Sequence, residues 1–193
     1  MKQSLLTEDQ RDALQEIMNI SMGQAAKSLA QLIDIQITLS IPNISVASPS
    51  DLLELLSHSD KTWYARQSFL GEIKGEVLSL VDKKGCDAMA ELMDYENPLS
   101  DVQTQEFILE LTNILSGACL SGLSAQLALK SHLNMPTLFK LLINEKAIYR
   151  WETALLVEVC FSIDSFSFNA RVVICLEEQS IITLKVSLDK LLG

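Results

Sequence analysis

The stretch Glu16-Ile17-Met18-Asn19-Ile20-Ser21-Met22-Gly23 has a counterpart 94 residues further on, Glu110-Leu111-Thr112-Asn113-Ile114-Leu115-Ser116-Gly117. The two share Glu, Asn, Ile and Gly at the same four places. The register extends outward, because 22 residues separate Asn19 from Pro42 and 22 separate Asn113 from Pro136. With Glu, Asn and Pro each at about 5% of residues, that spacing arises by chance at roughly one start in 10⁴. Two copies in register therefore point to an internal duplication. Descent accounts for the register; a shared constraint is needed to explain why the polar residues persist while their neighbours differ.

The offset of 94 divides a 193-residue chain almost in half. That length suits one domain with a sizeable core. The expected organisation is a single domain, 1–193, made of two repeats at about 7–97 and 101–193 that share a core around an approximate twofold axis. Two copies build neither a solenoid nor a propeller. No Pro- or Ser-rich linker separates the halves.

Composition is 48% hydrophobic and 21% charged, as in ordinary globular proteins. The net charge of −10 argues against nucleic acid and anionic membranes as partners, since both reward basic patches. The strongest apolar run is interrupted by Glu152 and Glu158, so no membrane span is expected. The N-terminus turns polar too early for a signal peptide, which makes the cytoplasm the default location. Cys86, Cys119, Cys160 and Cys175 lack metal-ligand spacing and read as reduced core residues, and His58 and His132 are isolated. There is no phosphate-binding glycine loop, nucleophile elbow or zinc pattern. The chain is expected to carry no cofactor and no metal of its own.

Thr7 with Gln10 and Ser100 with Gln103 have capping-box spacing. They open helices of about 8–31 and 102–127, each with apolar residues at helical intervals: Ala13, Leu14, Ile17, Ile20, Ala25, Leu29 and Leu32 in the first, Phe107, Ile108, Leu111, Ile114, Leu115, Leu120 and Leu123 in the second. Ile35, Ile37, Leu39 and Ile41 alternate as a strand that Pro42 terminates. A short helix is expected near 50–56, paired antiparallel strands within 69–81, a helix at 86–93 closed by Asn97-Pro98, a segment around Leu133 ending at Pro136, strands near 155–163 and 166–176 joined at Asp164-Ser165, and a closing helix at 180–192. Helices on a mostly antiparallel sheet, in the α+β class, is the economical arrangement.

Positions i, i+4, i+7 and i+11 share a helix face. They form the strips Asp12, Glu16, Asn19, Gly23 and Glu106, Glu110, Asn113, Gly117. The plain reading of either strip is the solvated side of an amphipathic helix. Against it, a mid-helix Gly costs roughly 1 kcal/mol relative to Ala and Asn is a poor interior helix former, yet both helices accept both. The glycines either let the helices approach another element closely or leave the strip open to a partner's backbone. A carboxylate and an amide on neighbouring turns form no nucleophile–base pair. They can complete another protein's active site, the Asn fixing a water for in-line attack and the Glu pairing with a partner lysine.

The pattern acid-x-x-x-Glu-x-x-Asn-x(22)-Pro, present twice, resembles the signature of the CheC/CheX/FliY family of chemotaxis response-regulator phosphatases. The segments NISMGQAAKSLAQL, NILSGACLSGLSAQL and FLGEIKGEVLSLV are also similar to family members. Two intact copies resemble CheC or FliY more than CheX, which keeps one, and the absence of room for FliY's extra domain favours a stand-alone CheC-like protein. The resemblance implies a CheC-like fold and hydrolysis of aspartyl phosphate on CheY or a related receiver domain. It implies that Glu16 and Glu110 contact the receiver's lysine, that Asn19 and Asn113 orient the water, and that the Mg²⁺ belongs to the receiver. Pro42 and Pro136 are expected to shape strand ends, and CheC relatives also bind the deamidase CheD. One departure is Glu106, where the family pattern has Asp or Ser. A non-enzymatic adaptor for a receiver or CheD is the alternative, and a self-associating structural protein ranks last because acidic strips repel each other.

Overall fold

The computed structural model describes residues 5–57, 62–96, 98–139, 153–163 and 168–193, apart from the side chain of Leu32. His58, Asn97, Glu152 and the 164–165 joint lie outside the described residues. The first half runs α1 (Glu8–Ile33), β1 (Thr38–Leu39), β2 (Asn43–Ala47), α2 (Pro49–Leu56), β3 (Thr62–Gly71), β4 (Gly75–Asp82) and α3 (Cys86–Leu92). The second runs α4 (Asp101–Leu127), β5 (Ser131–Leu133), β6 (Thr137–Phe139), β7 (Ala154–Ile163), β8 (Phe168–Leu176) and α5 (Glu178–Leu192).

Local chemistry sets the helix ends. Both capping boxes form: Thr7 accepts from the Gln10 N–H and Ser100 from the Gln103 N–H, and each Gln side chain returns a bond to the cap backbone. The exits correspond as well. Asp34 and Ala128, 94 residues apart, end α1 and α4 in the left-handed region at φ 54° and 52°. Ser48 caps α2 with Pro49 in its first turn, where a missing N–H costs nothing. The helix thus starts one residue before the expected 50–56.

Among the described residues every strand pairing is antiparallel, in the order β1-β7-β8-β4-β3-β5, with β2 also on β7 and β6 also on β3. The register carries the pseudo-twofold relation. Adding 92 to a β3 position or 95 to a β4 position gives its β7 or β8 counterpart, so that Arg66↔Leu78 becomes Glu158↔Val173. In the central β4–β8 pair the same operation turns Gly75↔Leu176 into Val81↔Ala170. Leu78↔Val173 maps onto itself and lies on the axis. The α+β expectation matches this architecture.

One face of the sheet packs on α1, α4, α3 and α5 through a core that includes Leu14, Met18, Phe69, Phe107, Leu111, Phe161, Val172 and Leu184. Alternate strand residues, among them Leu78, Leu80, Leu156 and Val173, meet Leu52 and Leu56 of α2 on the other face. The single strand expected over 35–41 is instead the two-residue β1. Pro42 interrupts the ladder without ending it, and the chain resumes pairing with β7 as β2. Ile20, expected to face the core, is exposed, while Met18 and Met22 take core positions on α1.

By length and composition α4 is the one helix among the described residues that could cross a membrane, whereas the strongest apolar run expected from the sequence is the one that Glu152 and Glu158 interrupt. More than half of its apolar window is buried inside the protein, as befits a core helix. Cys86, Cys119 and Cys175 are buried free thiols and Cys160 is half-buried. Burial pushes Cys86 up to about 12 and raises Cys119 and Cys175 as well, so these thiols are poor nucleophiles.

Candidate functional site

Each strip lies on the outer side of its helix. Asp12, Glu16, Asn19 and Gly23 are exposed on α1; Glu106, Glu110 and Asn113 are exposed on α4, and Gly117 is half-buried. Their apolar neighbours anchor the helices, since Ile17, Met18 and Met22 are buried on α1 and Leu111, Leu115 and Cys119 on α4. The polar groups therefore project from scaffolding that is fixed by the core.

The glycines resolve in favour of an open strip. A Cβ built on Gly23 meets nothing within 4 Å, and one on Gly117 meets only Leu133 Cδ1 at 3.9 Å. The close approach between α1 and α4 is made elsewhere, at Gly122, where a Cβ would lie 2.5 Å from Ser21 Cβ and Oγ. Ser21 is itself held by donation to the Ile17 carbonyl at 2.8 Å.

A turn carrying the motif proline stands beside each strip. In the second repeat a groove of about 440 Å³ is lined by Leu109, Glu110, Asn113, Leu133, Asn134, Met135 and Pro136. Pro136 thus lines the groove, beyond the strand-end role expected of it. In the first repeat Pro42 is buried, and its carbonyl accepts a 2.8 Å bond from Gln15 Nε2, next to Glu16 on α1. Both turns are pinned to the neighbouring strand: Ser40 N–H donates to the Cys160 carbonyl at 3.0 Å, and Asn134 N–H to the Ser68 carbonyl at 2.9 Å.

The two sites differ in how their polar groups are engaged. Gln67 Nε2, on β3, donates at 2.8 Å to both Asn113 Oδ1 and the Asn134 carbonyl. Tyr95 donates at 2.5 Å to Glu110 Oε2, and its ring packs edge-on against Phe107 with centroids 5.9 Å apart. Burial first, then the hydrogen bond and charge of Glu110 and the charge of Glu106, push the Tyr95 phenol up to about 12. The position related to Gln67 on β7 is Val159, fully buried, so Asn19 has no such tether. Sequence reasoning missed Gln67 and Tyr95 because neither recurs at the 94-residue offset. A glutamine in a run of strand formers was the only available hint. Among the described residues no cluster of three or more His, Cys, Asp or Glu is arranged to hold a metal ion.

The sequence model of the CheC-like family matches residues 10–46, which span the first strip and its proline. The fold resembles Thermotoga maritima FliY at TM-score 0.72, with 17% identity over 97% of this chain and 99% of that one. The family match is confined to residues 10–46 in the first half, and the structural likeness shows a shared fold. A chain of the CheX–CheY–BeF3–Mg²⁺ complex from Borrelia burgdorferi matches at TM-score 0.56, with 17% identity over 83% of this chain and 98% of that one. The FliM middle domain from H. pylori matches at TM-score 0.69, with 10% identity over 94% of this chain and 99% of that one.

Proposed function

We propose that this CheC-like protein is a phosphatase for the aspartyl phosphate of a CheY-like receiver domain in chemotaxis signalling, and that the fold contains two repeats with one site each. The observation that carries the reading is the pair of exposed Glu–Asn strips on core-anchored helices, repeated at a fixed offset beside matching proline turns. The similarity to a CheX–CheY complex adds a partner of the right kind. Glu16 and Glu110 offer carboxylates to the receiver's lysine, a charge-assisted contact that fixes docking register. Asn19 and Asn113, one turn further along, bond the attacking water and hold it in line with the phosphorus. The receiver's Mg²⁺ neutralises charge on the phosphoryl oxygens, and this chain contributes positioning. The reading puts the protein in the cytoplasm with its receiver.

Phosphate release from phosphorylated receiver tests this. Asn19→Ala combined with Asn113→Ala should abolish the acceleration while the fold survives, each amide being worth on the order of 2–4 kcal/mol of barrier. Release at the parent rate would overturn the mechanism. An adaptor that docks a receiver or CheD without hydrolysis is the second reading. It is favoured by the internal engagement of both Glu110 and Asn113, and by the shared fold of FliM, a chain of which is found in a FliG–FliM complex. Saturable receiver binding with no faster release would select it.

A further inference from the structure

Met135 is 84% exposed and Ile41 is 77% exposed, the highest values among the large apolar residues that the structure describes. They occupy the same place in the two repeats, 94 residues apart, each immediately before the motif proline. Met135 lines the groove that also contains Glu110 and Asn113. Ile41 sits between Ser40, bonded to the Cys160 carbonyl, and Pro42, bonded to Gln15 beside Glu16. Met135 is flanked likewise by Asn134, whose N–H and carbonyl are both bonded.

Scattered exposed apolar residues are ordinary. Here, however, the backbone is bonded on both sides of Ile41 and at Asn134 before Met135, so the two residues are held beside the polar strips. Each site then offers the same combination: carboxylate, amide and a single fixed apolar knob. A small phosphorylated metabolite has nothing to bury against such a knob. A protein surface does, because interface energy concentrates in a few apolar anchors around which polar groups set register.

We propose that Ile41 and Met135 are docking anchors for the phosphorylated receiver domain, each filling an apolar depression beside that domain's lysine and phosphoaspartate. The proposal rests on the receiver reading above. An anchor buried equally in the bound complex and in the transition state contributes uniform binding, so it sets KM and leaves kcat alone. That behaviour separates it from Asn19 and Asn113, whose loss falls on kcat.

The test uses the full chain and a panel of CheY-like receivers from the same cell, each loaded with beryllium fluoride and Mg²⁺ for binding or phosphorylated for turnover. The Ile41→Ser plus Met135→Ser variant should fold like the parent, since both side chains are in solvent. Its Kd and KM are expected to rise on the order of tenfold, with kcat at saturating receiver within about twofold of the parent. Unchanged Kd and KM, or a fall in kcat with KM held, would overturn the anchor role. Should the parent neither bind nor dephosphorylate any receiver, the receiver reading itself fails and the anchors fail with it. The variant-to-parent binding ratio is read whether or not phosphate is released, so the two failures are distinct.

Discussion

Gln67 fixes which way the Asn113 amide points. The Asn134 carbonyl can only accept, so the Gln67 atom 2.8 Å from it is the nitrogen, and that nitrogen's second hydrogen is directed at Asn113. Asn113 must therefore present its oxygen inward and its Nδ2 hydrogens to solvent. Gln67 is only 1% exposed, which makes the arrangement rigid. Its own Oε1 is buried without a partner among the described residues, a cost tolerated beside the site.

If this orientation matters to the chemistry, Gln67→Met should slow turnover at the second site. The measurement belongs in an Asn19→Ala background, where only that site remains. A fall in kcat of roughly tenfold with KM unchanged is expected for loss of one positioning hydrogen bond, about 1 kcal/mol or somewhat more. Equal kcat with lower thermal stability would mean that Gln67 merely staples the turn at Asn134.

Tyr95 occupies the carboxylate that a receiver's lysine would need. Removing its hydroxyl in Tyr95→Phe should free Glu110 and lower KM at the second site roughly threefold, the scale of a hydrogen bond exchanged for an ion pair at the surface. Because the phenol is pushed up to about 12, the lock should hold through pH 6–9. Its sign is that of a raised acid: the folded state holds the proton more tightly, so stability is lost only as pH rises past the ordinary value of 10. A KM advantage of the variant that changed across pH 6–9 would contradict this.

The glycines make a stability prediction with opposite signs. Gly23→Ala fills open space in a helix interior and should stabilise by about 1 kcal/mol, with Gly117→Ala similar because Leu133 stands at ordinary contact distance. Gly122→Ala drives a Cβ into Ser21 and should destabilise by about 1–3 kcal/mol. Urea midpoints of the three variants check the ordering. Stabilised Gly23→Ala protein with weaker receiver binding would tie that glycine to partner access.

What could be read from the chain was whatever local chemistry or repetition wrote there. The capping boxes at Thr7 and Ser100, the apolar intervals of α1 and α4 and the Glu–Asn register all recur or obey short-range rules. The break at Pro42 was visible, but resumption of pairing as β2 was not, because it depends on β7, more than a hundred residues away. The packing glycine, Gly122, was invisible for the same reason, its counterpart Ser28 being no glycine. Gln67 and Tyr95 act across 46 and 15 residues without a repeat to flag them.

A final relation concerns charge across the pseudo-axis. Arg171 Nε lies 3.0 Å from Glu158 Oε1 between β8 and β7. The strand offsets carry Glu158 back to Arg66 and Arg171 back to Glu76, so the same diagonal holds a pair of inverted sign in the first half. There the carboxylate fares worse. Burial raises Glu76 above its ordinary value of 4.5, Arg66 opposes this and Glu177 reinforces it, and Glu76 Oε2 is buried without a partner among the described residues. A carboxyl whose folded pKa is raised binds its proton more tightly in the native state, so its contribution to stability is present below the unfolded value and declines as pH rises through the folded one. Glu76→Gln removes that decline. The variant should therefore gain on the parent between pH 4 and pH 7, with the two nearly equal at the acid end. Denaturant midpoints at pH 4, 5.5 and 7 measure it, and a gap that stayed constant or narrowed toward neutrality would show that Arg66 fully compensates the buried charge.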